Sequence, residues 1–367
     1  MTQTELPKIG IIGAGWGVRV QIPAFRASGF VITALWSRDK TKALNIAKEL
    51  DIPFSTNKVE EILLSREVDL VCISTPPHLH CGIVAKAITA GKHVICEKPA
   101  ALNLSQARKM LNSSKYYPQL LSIIDHELRF LPAMAKMKEL VTAGYCGNLL
   151  VLKADVSMSS LIKGKYNWWC DESLGGGVLG AVGSHIIDAF YFLTGLQAIE
   201  VLGVLRTYKK TTKKIKDFRH ITSDDYCACQ LTYENEVHAT ITLNTLSYGS
   251  YYHVVSVYGD RGGLVLRNGD LYACSADSPL EELIVGSSNT SQSSPFAKGT
   301  EVMISCLKEA FLKKDFSILQ NAANFEAGLH TQAIIDGIKK SSFSGEWINV
   351  QHLLEDKRSP ETVFFHQ

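Results

Sequence analysis

Three glycines punctuate the run Gly13-Ala14-Gly15-Trp16-Gly17-Val18, which follows directly on the apolar segment Ile9–Ile12 and leads into a helical pattern. Glycine at the first two positions permits a sharp turn and lets backbone N–H groups approach an anion at the positive end of the helix, a cradle suited to a pyrophosphate. A lone G-x-G pair says little, but at the end of the first strand of an α/β unit it points to dinucleotide binding. Val18 occupies the third position of the usual fingerprint and Gly17 lies one residue earlier, so a slightly different helix–strand approach is expected. About twenty residues on, where an acidic side chain normally meets the ribose 2′-hydroxyl, the second strand ends in Trp36-Ser37-Arg38, with Lys40 and Lys42 behind. Serine leaves room for a 2′-phosphate and a guanidinium pairs with it, so the expected cofactor is NADP(H). NAD(H) is the alternative, because Asp39 would reach the ribose if the turn were shifted.

The elements that must position this turn are legible in the hydrophobic pattern. Short apolar runs at Ile9–Ile12, Val31–Trp36, Leu70–Ser74, His93–Cys96 and Leu120–Ile124 alternate with helical stretches. Near-continuous apolar strands separated by helices predict a doubly wound parallel sheet covered on both faces, a Rossmann domain over residues 1–125. The remainder, 126–367, is predicted as a second α/β domain with a large open, mainly antiparallel sheet. A helix is expected from Pro132 to Ala143, and strands at Leu149–Val156, Ile199–Leu205, Tyr226–Tyr233, Tyr251–Tyr258 and Gly263–Leu266. In the segment from Val237 to Asn244, Val237, Ala239, Ile241 and Leu243 alternate with polar residues, a period of two that buries one face only. Helical spacing returns at about Thr300–Lys313 and Asn324–Lys340, after a Ser/Asn/Thr-rich loop at Gly286–Ser294.

Two further blocks are more specific than the glycines. Ser74-Thr75-Pro76-Pro77-His78-Leu79-His80 closes one strand, and Ala90-Gly91-Lys92-His93-Val94-Ile95-Cys96-Glu97-Lys98-Pro99 surrounds the next. With Arg129-Phe130-Leu131-Pro132, Gly175-Gly176-Gly177-Val178-Leu179, Gly183-Ser184-His185 and Ser341-Ser342, they resemble the glucose-fructose oxidoreductase, inositol dehydrogenase and rhizopine-catabolism family (Gfo/Idh/MocA), whose hallmark is Glu-Lys-Pro at that strand end. The resemblance covers essentially the whole chain. The stretches Tyr166-Asn167-Trp168-Trp169-Cys170-Asp171 and Ile221-Thr222-Ser223-Asp224-Asp225 look most like an animal subgroup, the glucose-fructose oxidoreductase domain-containing proteins.

The resemblance implies hydride chemistry on a sugar, cyclitol or related polyol or keto compound held between the two domains. It places Trp16, Gly17, Thr75, Pro76, His80, Glu97 and Lys98 at the dinucleotide, and Lys98 also beside the substrate. An ammonium there would hold the reacting oxygen. His185 falls where many relatives place an acid/base histidine, and an imidazole with an ordinary pKa of about 6.5 can give and take a proton near neutrality. The family usually carries an aspartate four residues before that histidine, whereas this chain has Ala181. Asp188, three residues after His185, is close enough on a helix to interact with it. His126, Arg129, Trp168, Trp169, Asp171 and Asp188 are the candidates for the substrate pocket, the indoles as flat surfaces for a sugar ring. Ala181 motivates a second reading, a catalytically weak dinucleotide-binding regulatory protein. A lyase or hydrolase that oxidises its substrate transiently is the third.

Composition excludes other classes. The 38 basic and 36 acidic residues are interspersed and leave a net charge of +2, which offers no footprint for nucleic acid. The densest basic run, Lys209–Lys216, reads as a solvated loop. No apolar segment long enough to cross a bilayer is expected, and the location expected is the cytosol. The nine cysteines fall partly inside apolar runs, as Cys72, Cys96 and Cys306 do, which suits a reducing compartment. Cys227 and Cys229 share one face of a strand without a second pair or nearby histidine, so no metal site is expected. The open sheet of the second domain is expected to pair copies of the chain as a homodimer or higher homo-oligomer.

Overall fold

A computed structural model describes residues 6–159, 166–211, 220–247, 251–275, 278, 282–286 and 295–356. Most of Gly286–Ser294, and Thr212–Lys216 of the basic run, lie outside the described residues. The chain divides into two compact units, the first made of 1–101, 106–131 and 292–328, the second of 102–105, 132–291 and 329–367. This differs from a single crossing at 125/126, because residues 126–131 and the returning segment 292–328 pack with the Rossmann sheet.

In the first unit, strands β1 (Ile9–Ile12), β2 (Ile32–Trp36), β3 (Phe54–Thr56), β4 (Leu70–Ile73), β5 (His93–Cys96) and β6 (Ser122–Ile124) run parallel in the order β6-β5-β4-β1-β2-β3. Every residue of β1 and β4 is buried, as expected for strands covered on both faces. The outer edge of β6 is closed by a two-residue antiparallel strand, Ala323–Asn324. The helix Pro295–Lys313 inserts Met303, Ile304, Leu307 and Ala310 into the same core as Ile9, Ile11, Phe25 and Leu35. The late segment therefore completes the first unit's core and its sheet edge, which is why it leaves its sequence neighbours.

The second unit is built on β7 (Leu149–Ser157), β8 (Ala198–Arg206), β9 (Tyr226–Tyr233), β10 (His238–Asn244), β11 (Tyr252–Gly259), β12 (Gly262–Arg267), β13 (Asp270–Ser275) and β14 (Glu282–Val285). They form an open sheet in the order β14-β13-β12-β11-β7-β10-β9-β8, extended by Ile348–Asn349, and only the β7–β10 pair is parallel. Ala239, Ile241 and Leu243 of β10 are buried while His238 and Thr240 are exposed. The helix Phe325–Ser344 docks on β8 through Ser341 Oγ, which accepts from Gly203 N–H at 2.9 Å, and Ser342 Oγ, which accepts from Leu205 N–H at 2.8 Å.

One stretch departs from the expectation that no segment is long and apolar enough to cross a bilayer. The helical stretch Glu172–Thr194 does reach membrane-spanning length, with mean hydropathy 1.3 over its most apolar window. That window is 94% buried inside the protein, so its apolarity serves the core of the second unit.

Candidate active site

The glycine turn is enforced sterically. Gly13 has φ +137°, and a Cβ there would run into the Ser74 carbonyl at the end of β4, so both conformation and space require glycine. Gly15 faces open space, leaving its backbone approachable by a ligand. At Gly17 a Cβ would lie 2.8 Å from Ile11 Cγ2 and 2.5 Å from Ser74 Oγ. Gly17 thus makes the close helix–strand contact usually made one residue later, and Val18 at the fingerprint's third position is accommodated. The following helix opens with a π turn over Gly17–Gln21 before continuing as Ile22–Ala27. Around this turn the buried hydroxyls of Ser74 and Thr75 and the Trp16 indole N–H have no hydrogen-bond partner within the protein. Such groups, beside a cradle that only glycine fits, match the needs of a dinucleotide phosphate.

At the end of β2, Ser37 is buried and Arg38 and Asp39 are exposed. Asp39 caps the helix Lys40–Glu49, its Oδ1 accepting from Lys42 N–H at 3.0 Å. The one acidic side chain that competes for the ribose is therefore engaged at a helix N-terminus.

His80 has a different position from that of a cofactor ligand. It is fully buried, Nε2–H donates to the Thr75 carbonyl at 2.8 Å, and Nδ1 lies 3.1 Å from the Pro99 carbonyl. Burial holds its pKa below the usual value against the pull of those carbonyls. The ring ties the turn after β4 to the cis Lys98–Pro99 peptide, so His80 organises the site from behind. Thr75 supplies the turn's carbonyl to His80, and the Pro76 carbonyl accepts from Leu79 N–H at 3.0 Å. Lys98 is half-buried at the end of β5.

Beneath Lys98 lies a group that sequence reasoning missed in part. Gln21 Nε2 donates to Glu97 Oε1 and to Asp125 Oδ2, both at 3.1 Å. Burial, the Asp125 charge and the Glu127 charge push the Glu97 carboxyl well above the usual carboxylate range. Burial also raises Asp125, opposed by the hydrogen bonds from Gln21 and Glu97. After β6, the turn Glu127–Phe130 buries His126 and Arg129, and Arg129 Nη1 donates to the Asn321 carbonyl at 3.3 Å.

In the second unit, Trp168 and Trp169 stack with centroids 4.3 Å apart and planes 27° off parallel. Asp171 is spent locally: Oδ1 accepts from Ser173 N–H at 2.9 Å and Ser173 Oγ–H at 2.6 Å, and Oδ2 from Tyr166 Oη–H at 3.3 Å. It shapes the loop rather than extending from it. Gly176 and Gly177 then pass so close to the Trp168 and Trp169 carbonyls and to Asp224 that a Cβ at either would collide. Asp224 accepts from Leu179 N–H at 2.7 Å, where the helix carrying His185 begins with a π turn at Leu179–Gly183. His185 and Asp188 are both buried on the helix Ser184–Thr194, one turn apart, and Ala181 is buried one turn before His185. His330, absent from the expected site, stacks on Tyr191 of that helix at 4.5 Å, and burial takes its pKa down to about 4 against the pull of Asp188.

Burial raises the Asp224 carboxyl from 3.8 to about 6. The folded state therefore binds this proton more tightly than the unfolded chain, so the group's contribution is most favourable below pH 3.8, declines as pH rises to about 6, and is flat beyond. Asp224→Asn keeps an acceptor for Leu179 and removes the buried charge. Urea titrations should show the variant more stable than wild type at pH 8, by about 1–3 kcal/mol, with no gain at pH 4. An equal change at both pH values would contradict this account.

The chain belongs to the Gfo/Idh/MocA oxidoreductase family: residues 7–123 match the oxidoreductase family with NAD-binding Rossmann fold, and residues 134–265 match the GFO/IDH/MocA C-terminal domain. It is 39% identical to glucose-fructose oxidoreductase domain-containing protein 2 of Bos taurus, over 96% of this chain and 95% of that protein. Protein 1 of the same name from Mus musculus is also 39% identical, over 96% and 94% of the two chains. A levoglucosan dehydrogenase solved with NADH and L-sorbose superposes with TM-score 0.83 at 20% identity, covering 94% of this chain and 98% of that one. The protein is thus an NAD-binding oxidoreductase-family chain with a sugar dehydrogenase among its structural neighbours.

Proposed function

We propose that this protein is an NADP(H)-preferring oxidoreductase that interconverts a carbinol and a carbonyl on a sugar, cyclitol or related polyol. The observation that carries this reading is the Glu97-Lys98-Pro99 turn, which holds an ammonium at the carboxyl end of β5. In a sheet of order 3-2-1-4-5-6 the adenosine half of a dinucleotide belongs to β1–β3 and the nicotinamide half to β4–β6. Gly13, Gly15, Gly17, Thr75 and Ser74 suit the pyrophosphate, and Ser37 and Arg38 a 2′-phosphate. When bound, the dinucleotide supplies the hydride chemistry. Lys98 holds the reacting oxygen and steadies its charge, and His185 exchanges the hydroxyl proton, with buried Asp188 in place to orient it. His126, Arg129, Trp168 and Trp169 give the substrate's surroundings their polar and flat apolar character. The structural neighbour carries NADH; the preference for the phosphorylated form rests on this chain's Ser37 and Arg38 and on the engagement of Asp39.

A regulatory role without turnover is favoured by one feature, the buried Ala181 where a carboxylate would sit beside His185. Purified protein titrated with NADPH and NADH, then assayed against a panel of polyols and keto-sugars, separates the readings. The enzyme reading expects NADPH fluorescence to change on binding and to decay with at least one panel member. Binding without turnover across the panel supports the regulatory role, and failure to bind either dinucleotide overturns both. Tightly held oxidised cofactor after purification would instead favour transient oxidation. All nine thiols are free, in keeping with a cytosolic location. The open face of the nine-stranded sheet presents Val151 opposite Tyr258, and Tyr252 at the far end of the same strand, at its exposed surface, and we take a second copy of the chain as what covers it.

A further inference from the structure

Glu97 and Asp125 stand one residue beyond Cys96 and Ile124, the last paired residues of neighbouring parallel strands. The Asp125 N–H donates to the Cys96 carbonyl at 2.7 Å, fixing the two backbones together. Because both carboxylates bond to the single nitrogen Gln21 Nε2 at 3.1 Å, their oxygens are held within about 6 Å, the range in which like charges disfavour joint ionisation. Gln21 is 1% exposed, Glu97 9% and Asp125 0%, so water screens little of that repulsion. Burial holds both carboxyls above the usual carboxylate range, and one proton shared between them, with Glu97 as donor and Asp125 as acceptor, satisfies both. Lys98 favours ionisation of both carboxyls and Gln21 that of Asp125, while Glu127 opposes that of Glu97. Cys72 and Cys96, packed against the pair, are neutral thiols because burial and the two carboxylates push them well up.

We propose that this pair registers the redox state of the bound dinucleotide, keeping its proton beside the reduced, neutral nicotinamide and releasing it to solvent when the oxidised, positively charged ring is bound. The inference rests on the dinucleotide reading above, which assigns the nicotinamide end to the carboxyl ends of β4–β6. A cation at that end offsets the second negative charge that repulsion otherwise forbids. No bond of the dinucleotide changes, and the proton goes to bulk water. Gln21, on the helix that follows the glycine turn, is the positioning residue, since it holds the two carboxyls at the spacing that makes them share.

By linkage, a ligand that expels a proton binds more tightly as pH rises, so the ratio of the dissociation constants, NADP+ over NADPH, should fall by up to about tenfold per pH unit as pH rises above the ordinary carboxylate range. Taking the ratio cancels ionisation of the 2′-phosphate, which both forms share. Calorimetry in two buffers of different ionisation enthalpy should count more protons released on NADP+ than on NADPH. Asp125→Asn and Glu97→Gln each leave a single ionisable partner of nearly unchanged shape, and each should flatten the ratio and erase the difference in proton count. A slope that survives both substitutions would place the release outside the pair and overturn the proposal. A pH-independent ratio in the wild-type protein would overturn it while leaving dinucleotide binding intact. Failure of both dinucleotides to bind would remove the reading on which it stands.

Discussion

Lys98→Met should lower turnover by about a thousandfold while leaving the dissociation constant for NADPH within about threefold of wild type, since one positioned proton-transfer or charge-bearing group contributes 10²–10⁴ in rate. Methionine matches the length of the lysine stem and fills the same half-buried space, but it has neither charge nor donor. The backbone that carries it is fixed independently, by the packing of buried His80 against Pro99 and by the Glu97 N–H on the Ile73 carbonyl at 2.8 Å. A purely structural lysine, ordering the strand end by an ion pair, would show its loss in thermal stability and in cofactor affinity. The proposed role predicts the opposite split, with kcat reduced, and stability and NADPH affinity kept. Single-turnover decay of NADPH absorbance, set beside a fluorescence titration, reads both. Turnover retained within tenfold would remove Lys98 from the chemistry.

The parts of this site that are legible in sequence are those fixed by local rules. Buried parallel strands give unbroken apolar runs, so β1 and β5 are found at their observed bounds, and the period of two in β10 follows from its single buried face. β3 is only three residues long with one fully buried, too short for either pattern. β13 is signalled by its turn instead of by its own residues: Asn268-Gly269, with φ of +52° and +100°, is the dipeptide of a tight hairpin, and it joins β12 to β13. The Gln21–Glu97–Asp125 group is invisible to spacing arguments because its members are separated by 76 and 104 residues, and only the strand order brings them together. The polar run Asp125-His126-Glu127 directly after an apolar strand was the available hint, since ligands of open α/β sheets gather at carboxyl ends. Asp171 and His80 show the converse: motif position places them in the site, but their hydrogen bonds are already used to shape it.

The same distinction between position and availability decides the cofactor preference, and it makes Arg38→Ala the most informative substitution in the first unit. Asp39 caps the helix Lys40–Glu49, so turning it toward a ribose would cost that helix its N-cap, about 1 kcal/mol. Ser37 is buried, with its N–H donating to the Thr56 carbonyl at 3.2 Å, which fixes the backbone from which the exposed Arg38 extends. A charge-assisted pair between a guanidinium and a phosphate is worth roughly 1.5–3 kcal/mol. Arg38→Ala should therefore weaken NADPH binding by about 10–100-fold and NADH binding by less than about threefold, because NADH has no 2′-phosphate for the side chain to meet. As Arg38 is exposed, the NADPH loss should shrink as salt is raised, with screening lengths near 10 Å at 0.1 M falling to about 3 Å at 1 M. Direct titration of both cofactors at two salt concentrations measures all four quantities. Equal losses for NADPH and NADH would mean that the guanidinium meets the adenine, which both share, and the preference for the phosphorylated cofactor would have to be abandoned.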